Sequence, residues 1–359
     1  MDANHTRRNV AILIPTMLSG GAEKQSILLA SHLQDSHNVF FYILYGDQTE
    51  AGYLSHLTGS DRIKIFRLTG SMLQKLCFLK RSFSENRIHC LFNYLSRADF
   101  WGAVIGRLAG VPKIYGGIRS TFLPRWKLVL EFAANHVFGA GIIFNSQSAM
   151  CGFTERWLSK KNSLVIHNGI EMREIPPRSH GVERLRIITV ARFVMEKDFR
   201  TSLLAMCALR EIIPGDRIEY VIGGYGPEES HLRSLISELG LTDMVKITIS
   251  PNPVGDFLDT GDIYLSTSII EGTSNSIMEA MEHRLPVVAT DAGDNRILVE
   301  DGVTGFICPI GDHQKLAARI AEIYRRSRVD EMGNAGYQRL ADLFSVERMT
   351  QKYLDIIAQ

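Results

Sequence analysis

IIEGTSNSIMEAMEHRLPVVATDAGDNRILVEDGVTGFICP, residues 269–309, is the stretch that decides the fold. It places Glu271 on a loop of small polar residues and Glu279 on a helical pattern, and it continues into the apolar strand LPVVATD. Amides at a helix N-terminus bind anions, and the helix dipole favours negative charge there. The two carboxylates are acceptors for hydroxyl groups rather than ligands for phosphate. The pattern therefore predicts a ligand that combines phosphate with polyols, such as a nucleotide sugar.

The alternation of strand and helix patterns runs through the whole chain, which predicts βαβ units with parallel sheets. At 359 residues the chain is too long for one ordinary core, so we expect two domains. Residues 173–184, rich in Pro, Arg and Gly, are the best linker candidate. Ligands of such sheets bind at the carboxyl ends of the strands. The predicted strands are NVAILIP, NVFFYILY, RIKIFRL, IHCLFNY, VPKIYGG, GIIFN and SLVIH in the first half, and LRIITVAR, RIEYVIGG, MVKITIS, DIYLSTS and LPVVATD in the second.

The composition is that of an ordinary soluble protein, with 45% hydrophobic and 22% charged residues. No apolar run approaches the ~18–20 residues needed to span a bilayer. Five cysteines, without a C-x-x-C spacing, indicate a reducing cytoplasm and argue against a disulfide framework or a zinc site. The sequence also lacks a D-x-D clamp, a P-loop, a G-x-S-x-G elbow and a Rossmann G-x-G-x-x-G.

Charge is distributed unevenly although the net charge is only +1. Residues 1–172 hold 19 Lys and Arg against 11 Asp and Glu, whereas residues 173–359 hold 21 against 28. No nucleic-acid recognition motif accompanies the basic half, so an anionic membrane or a lipid-linked acceptor suits it better. The helix MLQKLCFLKRSFSENR, with Lys75, Lys80, Arg81 and Arg87 on or near it, is a candidate for membrane contact. Alternatively, the apolar residues of this helix pack on the sheet and leave an ordinary solvated basic face.

Several further motifs occur in a fixed order: GGAEKQ (20–25), HNGI (167–170), TVARFVMEKDF (189–199) and IGGYGPEESHL (222–232). Together with the E-x7-E spacing of Glu271 and Glu279, they make nearly the whole chain resemble the retaining family-4 glycosyltransferases. The resemblance implies the GT-B fold, an α/β architecture of two doubly wound Rossmann-like domains whose parallel sheets face a central cleft. It implies an acceptor-binding domain at 1–172, a donor-binding domain at 173–344, and a C-terminal helix at 345–359 that packs back on the first domain.

The resemblance also assigns the site residues. Arg192 and Lys197 follow the strand IITVA, where basic side chains suit a diphosphate and stabilise charge on it as it leaves. Glu271 lies at the donor sugar, and these three are the expected catalytic residues. Glu279 is expected on the nucleotide ribose. The expected donor-binding residues are Gly20, Gly21, Gly224, Gly272, Thr273, Ser274, Asn275 and Glu279.

Each motif has a structural alternative. Ser276 and Glu279 fit a capping box, Gly20-Gly21 and Gly224 fit plain turns, and Arg192 and Lys197 fit a solvated surface.

Two positions depart from the family pattern. Arg119 stands where many members have a histidine, so it contacts the donor sugar, a charged acceptor or neither. Ile297 stands where many have a glutamate, which leaves the amides of Gly293 and Asp294 for phosphate.

The expected activity is retaining transfer of a sugar from a nucleotide-diphosphate donor to a polysaccharide or lipid-linked saccharide acceptor. We expect a UDP-sugar rather than a GDP-sugar, no cofactor, no metal and no nucleic acid. A nucleotide-sugar epimerase of the same fold and a non-catalytic partner subunit are the alternatives. The expected location is the cytoplasm, with peripheral attachment to the inner face of the cytoplasmic membrane left open.

Overall fold

The chain divides into two compact units in the computed structural model, which describes residues 7–18, 20–54, 57–176 and 184–359. Unit 1 comprises Met1–Gly169 and Val346–Gln359, and unit 2 comprises Ile170–Ser345. Most of the predicted linker, residues 177–183, lies outside the described residues. No helix in the described ranges is long and apolar enough to cross a bilayer.

Unit 1 is built on a seven-stranded parallel sheet in the order β3-β2-β1-β4-β5-β6-β7. Its strands are β1 Asn9–Ile14, β2 Asn38–Ile43, β3 Ile63–Arg67, β4 Cys90–Asn93, β5 Lys113–Ile118, β6 Gly141–Phe144 and β7 Ser163–Val165. Its helices are α1 Gly21–Leu33, α2 Ala51–Leu54, α3 Met72–Glu85, α4 Ser96–Leu108, α5 Arg125–Phe132 and α6 Gln147–Thr154. The segment Ala133–Val137 continues α5 as a π-helical turn.

Strand β1 shows why the unit 1 strands read as unbroken apolar runs. Its alternate residues point to opposite faces, so Ile12 enters one core cluster while Ala11 and Leu13 enter another. Helices cover both faces of a parallel sheet, and both sets of side chains are therefore buried.

Unit 2 carries a six-stranded parallel sheet in the order β10-β9-β8-β11-β12-β13. Its strands are β8 Leu185–Val190, β9 Ile218–Gly224, β10 Val245–Ile249, β11 Ile263–Ser266, β12 Val287–Thr290 and β13 Gly305–Cys308. Its helices are α7 Phe199–Arg210, α8 Glu229–Glu238, α9 Val254–Leu258, α10 Asn275–Glu282, α11 Asn295–Leu298, α12 His313–Arg325 and α13 Val329–Phe344.

Every strand predicted from the sequence contains a strand of the structure, and β13 is an addition. The prediction missed β13, whose four residues are GFIC. The two parallel sheets confirm the predicted doubly wound α/β class. Helix α5 ends at Phe132, where the chain changes to π-helical bonding.

The last helix, α14 (Val346–Ala358), packs within unit 1. Tyr353 is fully buried and meets the ring of Phe92 edge-on, with 4.9 Å between ring centroids. At the C-terminal end of α14, the Lys113 ammonium donates to the carbonyl of Ile356 at 2.9 Å. A cation on these unpaired carbonyls complements the negative end of the helix dipole, so it fixes the end of α14 against the sheet.

A buried pair of carboxyl groups attaches α5 to α4. The Asp99 carboxyl accepts a hydrogen bond from the Gly117 amide at 3.0 Å, and its other oxygen faces Glu131, which is also buried. Burial, and then the neighbouring Glu131, raise the pKa of Asp99 well above its usual value, and burial also raises the pKa of Glu131. We infer that the pair keeps one proton between its two carboxyls, because burial opposes ionising two neighbouring carboxyls at once.

Replacing Asp99 with Asn should keep this contact without needing a proton. The amide nitrogen donates to Glu131, and the amide oxygen still accepts from Gly117. A raised folded-state pKa contributes stability that is present at low pH and lost as pH rises above the unfolded-state value of about 4. The Asn variant should therefore gain stability relative to the wild type between pH 5 and pH 8, as measured by urea unfolding.

The same measurement with Asp47→Asn, in a loop away from the pair, controls for the loss of one negative charge. A constant stability difference between wild type and D99N across this pH range would contradict the shared proton.

Candidate functional site

The order of the strands in unit 2 defines where a ligand binds. The chain moves outward from β8 to β9 and β10 on one side, and from β11 to β12 and β13 on the other. Strands β8 and β11 therefore flank the topological switch point, and the loops after them diverge at its carboxyl edge, where α/β sheets bind ligands. Arg192 and Lys197 lie on the loop after β8, and Glu271 lies on the loop after β11.

Backbone contacts join these two loops. The Thr267 hydroxyl donates to the carbonyls of Lys197 and Asp198, at 3.0 Å each. The Ile269 amide donates to the carbonyl of Glu196 at 2.9 Å. Because these hydrogen bonds fix the backbone carbonyls of the loop after β8, they also set the positions of the side chains on both loops.

The result is an ion pair between the Lys197 ammonium and the Glu271 carboxylate. The two side chains are 19% and 13% exposed, so the pair is largely withdrawn from solvent. Breaking such a pair by removing one partner leaves the other charge uncompensated. The structure therefore brings a predicted phosphate-binding cation and a predicted sugar-binding carboxylate into direct contact.

Arg192 is exposed, and its guanidinium has no protein partner within the described ranges. Its two neighbours hold it in place. The Ala191 amide donates to the carbonyl of Gly223 at 3.0 Å, and the Phe193 amide donates to the carbonyl of Tyr225 at 2.7 Å. The guanidinium is thus displayed on a fixed backbone with its five donors available for an anion.

The glycines of the GGYGPE turn explain that fixed backbone. A Cβ at Gly224 would lie 1.9 Å from the carbonyl oxygen of Ala191, and a Cβ at Gly226 would lie 2.4 Å from that of Phe193. Both glycines also have positive φ, 154° and 155°. Donor binding by Gly224 stays a prediction, and the structure gives this glycine a packing role against the loop that carries Arg192.

Helix α10 begins at Asn275 and has Ser274 as its N-cap residue. Ser276 therefore lies inside the first turn, so the capping box of Ser276 and Glu279 is wrong because that motif needs serine at the N-cap. Glu279 lies half-buried in the second turn. Gly272, Thr273 and Ser274 are buried where the loop enters the helix.

The loop after β12 supports the same region from the other side. A Cβ at Gly293, whose φ is 55°, would lie 2.6 Å from the carbonyl oxygen of Glu271. The amide of Asp294 donates to the carbonyl of Gly272 at 3.1 Å. The expectation that the Asp294 amide serves phosphate is therefore wrong, since this donor orients the Glu271 loop.

Sequence reasoning missed Tyr264, a buried residue of β11 at the switch point. Its hydroxyl donates to the carbonyl of Val190 at 3.0 Å and also contacts Ser276. Burial raises the pKa of Tyr264, and the charges of Glu279 and Glu271 raise it further, so both carboxylates lie near this hydroxyl. The signal in the sequence was the position of a tyrosine within an apolar strand that ends in STS.

Three predicted site residues lie in unit 1. Gly20 has extended backbone before α1, which starts at Gly21, and a Cβ at Gly20 would lie 2.2 Å from an oxygen of the buried Glu23 carboxylate.

The Arg119 guanidinium donates to Asn168 at 3.3 Å and to the Tyr353 hydroxyl at 3.2 Å. It also lies 4.4 Å from the ring centroid of Tyr94. Arg119 thus connects Asn168 with Tyr353 of α14, so it joins two separate segments of unit 1.

Comparison with known proteins shows which family part of the chain is similar to. Residues 173–339 match the family model described as glycosyl transferases group 1. This segment contains Arg192, Lys197, Glu271 and Glu279, so the part of unit 2 that builds the switch-point site is the part that matches the glycosyl transferases group 1 model.

Relatives with assigned names include a putative colanic acid biosynthesis glycosyltransferase, WcaL, of Salmonella typhimurium, 32% identical over 52% of this chain and 50% of the relative. An amylovoran biosynthesis glycosyltransferase, AmsK, of Erwinia amylovora is 36% identical over 37% of this chain and 34% of the relative. The chain thus spans about half the length, or less, of these relatives.

Solved structures of similar fold include Anabaena HepE in complex with UDP, with a TM-score of 0.81 and 19% identity over 98% of this chain and 99% of that one. Sucrose-phosphate synthase of Thermosynechococcus elongatus has a TM-score of 0.80 and 18% identity over 98% and 99%. These are GT-B glycosyltransferases, and the similarity confirms the predicted GT-B fold.

Gly226→Ala should weaken donor binding by displacing Arg192. The added Cβ meets the carbonyl of Phe193, and the loop after β8 must shift to relieve the contact. Thermal-shift titration with UDP should show at least a tenfold higher Kd, the effect of losing one charge-assisted contact of 1.5–3 kcal/mol.

Gly240→Ala is the matched control, because Gly240 also has positive φ but open space around its Cβ. It should lower the melting temperature while leaving the Kd for UDP unchanged. Equal Kd values for the two variants would contradict the positioning role of Gly226.

Proposed function

We propose that the chain is a retaining glycosyltransferase that moves a sugar from a nucleoside diphosphate to a polysaccharide or lipid-linked saccharide acceptor. The observation that carries the proposal is the ion pair of Lys197 with Glu271 at the switch point of unit 2, with Arg192 exposed on the same loop as Lys197 and α10 starting four residues after Glu271. The names of WcaL and AmsK, both polysaccharide biosynthesis glycosyltransferases, support the process. HepE in complex with UDP-glucose supports a UDP-sugar as donor.

In the proposed reaction the acceptor hydroxyl forms a bond to the anomeric carbon on the face from which the diphosphate departs. The bond from that carbon to the phosphate oxygen breaks, and this oxygen takes the acceptor proton. Negative charge grows on the diphosphate as it leaves, and Arg192 and Lys197 stabilise it from fixed positions. The first-turn amides of α10 contribute further donors at the positive end of the helix dipole.

Glu271 and Glu279 take different roles in this proposal. Glu271 orients Lys197 through their ion pair and accepts from the hydroxyls of the donor sugar. Glu279, eight residues further along and half-buried in α10, accepts from the ribose hydroxyls of the nucleotide. Both lie near the Tyr264 hydroxyl, so sugar and ribose bind on either side of the diphosphate.

We propose that the transfer needs no metal ion. Two cations and the helix amides neutralise the diphosphate, and the described residues contain no group of three or more His, Cys, Asp or Glu placed to hold a metal. Activity should therefore persist in excess EDTA. Complete loss on chelation, restored by Mg²⁺, would overturn this part of the proposal.

A nucleotide-sugar epimerase and a non-catalytic partner subunit remain the competing functions. The epimerase releases UDP without an acceptor, and the partner subunit binds UDP without turnover. We place the enzyme in the cytoplasm, with its acceptor at the inner face of the cytoplasmic membrane. UDP release that depends on added acceptor separates the three.

Arg192→Ala should reduce turnover by roughly 10²–10³, the scale of losing one fixed charge donor in a transition state. This variant is the clean test because Arg192 is exposed and pairs with no described residue, whereas Lys197→Ala also leaves Glu271 uncompensated. The measurement is initial rate at saturating donor. Arg200→Ala, an exposed arginine on α7, is the control and should keep the wild-type rate.

Glu279→Gln should raise the Kd for a UDP-sugar by about fivefold to tenfold and leave stability within ~1 kcal/mol. Glutamine keeps the size of the side chain and loses the charged acceptor for the ribose hydroxyls. Binding of UDP compared with a 2′-deoxyribose analogue measures the contact directly. An unchanged preference for the ribose form in E279Q would remove Glu279 from the nucleotide site.

A further inference from the structure

Unit 1 holds a group of cations that the reaction described above does not use. Lys75 of α3 lies over the ring of Tyr45, with 4.9 Å from its ammonium to the centroid. Arg97, in the first turn of α4, lies 5.8 Å from the same centroid and 5.7 Å from that of Trp126. Lys127 lies 5.5 Å from the Trp126 centroid. We call Lys75, Arg97 and Lys127 the cation cluster.

None of these three cations forms an ion pair with a carboxylate of the described residues. Lys75 is only 7% exposed, and desolvating an ammonium without an anionic partner is costly. The aromatic rings compensate partly, at about 0.5–2 kcal/mol each. Lys75 and Arg97 share the Tyr45 ring, and Arg97 and Lys127 share the Trp126 ring, so positive charge collects around two rings and favours an external anion, although the Glu131 carboxyl also senses Lys127.

The cluster lies at the carboxyl edge of the unit 1 sheet. Tyr45 follows β2, and Arg97 follows β4 at the start of α4. This is the edge at which α/β sheets bind ligands. The cations of α3, α4 and α5 therefore converge on one place through the fold, from three separate stretches of the chain.

An exposed apolar face adjoins the cluster on α5 and its π-helical extension. Trp126 and Val129 lie one turn apart on α5, Phe132 and Val137 continue along the helix and its π-helical extension, and Phe122 lies in the loop before α5. Trp126, Val129 and Val137 are 50%, 66% and 69% exposed. We call these five residues the α5 face. The buried side of the helix, with Glu131 against Asp99, fixes which side remains outside.

We propose that the cation cluster and the α5 face together seat unit 1 on an anionic lipid surface, with headgroup phosphates on the cations. Trp126 belongs to both, so a phosphate-binding surface and an apolar surface meet at one residue. Interfacial helices have this composition, with Lys and Arg beside exposed Trp, Phe and Val. The excess of basic residues in 1–172 has the sign that an anionic leaflet attracts.

This surface differs from the one predicted on α3. Leu79 and Phe83 of that helix are buried on the sheet, and Arg81 pairs with Glu85 at 2.6 Å. Helix α3 contributes Lys75 alone to the cluster, and its own outer face is an ordinary solvated one apart from Leu73 and Phe78. The link between this surface and the acceptor rests on the proposed function. If that function holds, the membrane presents a lipid-linked acceptor to the unit that contacts the lipid.

The test compares co-sedimentation with phosphatidylglycerol vesicles and with phosphatidylcholine vesicles. The wild type should pellet with the first at low salt, be released at high salt, and stay in solution with the second. Arg97→Gln combined with Lys127→Gln should weaken partitioning by about fivefold for each cation removed, the ratio that ~1 kcal/mol per basic residue gives. Lys80→Gln combined with Lys160→Gln, two exposed cations elsewhere in unit 1, is the matched control and should bind nearly as the wild type.

Trp126 supplies a second readout. Its fluorescence should shift to the blue on phosphatidylglycerol vesicles, and Trp126→Phe should abolish that shift, although Trp101 and Trp157 remain. Val129→Ser, on the α5 face, should weaken vesicle binding at high salt more than at low salt, because its contribution is apolar.

Four outcomes would overturn the proposal. They are equal loss in the control pair, no blue shift at Trp126, binding of pyrophosphate at the cluster without vesicle binding, and vesicle binding that R97Q/K127Q leaves unchanged. The pyrophosphate result would assign the cluster to a soluble phosphate. Stabilisation by UDP, measured on the same samples, reports the proposed function separately. A protein that keeps the UDP response and ignores lipid refutes this inference alone.

Discussion

The arrangement of the switch-point residues in unit 2 depends on hydrogen bonds between two loops that follow neighbouring strands. The Thr267 hydroxyl holds the carbonyls of Lys197 and Asp198, and the Ile269 amide holds that of Glu196. The chirality of parallel βα units places β8 and β11 side by side although more than seventy residues separate them. These hydrogen bonds hold the two loops together, and the Lys197 ammonium therefore contacts the Glu271 carboxylate.

The elements of the fold could be predicted from the sequence because most strands are apolar runs, and the central strands of both sheets are buried on both faces. The site was readable only in part. The strand-end position of Arg192 and the loop position of Glu271 predicted that they belong at the sheet edge. The sequence did not show that the GGYGPE glycines serve backbone packing against Ala191 and Phe193, because a glycine gives the same signal for close packing and for ligand approach.

Other features depend on contacts between distant parts of the chain. The S-x-x-E spacing at Ser276 indicated a cap, yet the helix starts two residues too early for it, because its N-cap is Ser274. Arg119 contacts three residues from separate stretches of unit 1, Tyr94, Asn168 and Tyr353. A guanidinium that satisfies part of its donors internally costs less to bury, which explains how an arginine fits at this position.

The membership of α14 in unit 1 has a consequence for how the chain is made. The core around β1 and α1 is completed by Val346, Met349 and Tyr353, while the chain between Ile170 and Ser345 forms the other unit. During synthesis the second unit emerges as one uninterrupted segment and has all its strands before the first unit has its final helix. The apolar surface that α14 will cover stays open for that interval. The earlier-made half is therefore the later to close, and it is the half with the greater need of chaperone protection.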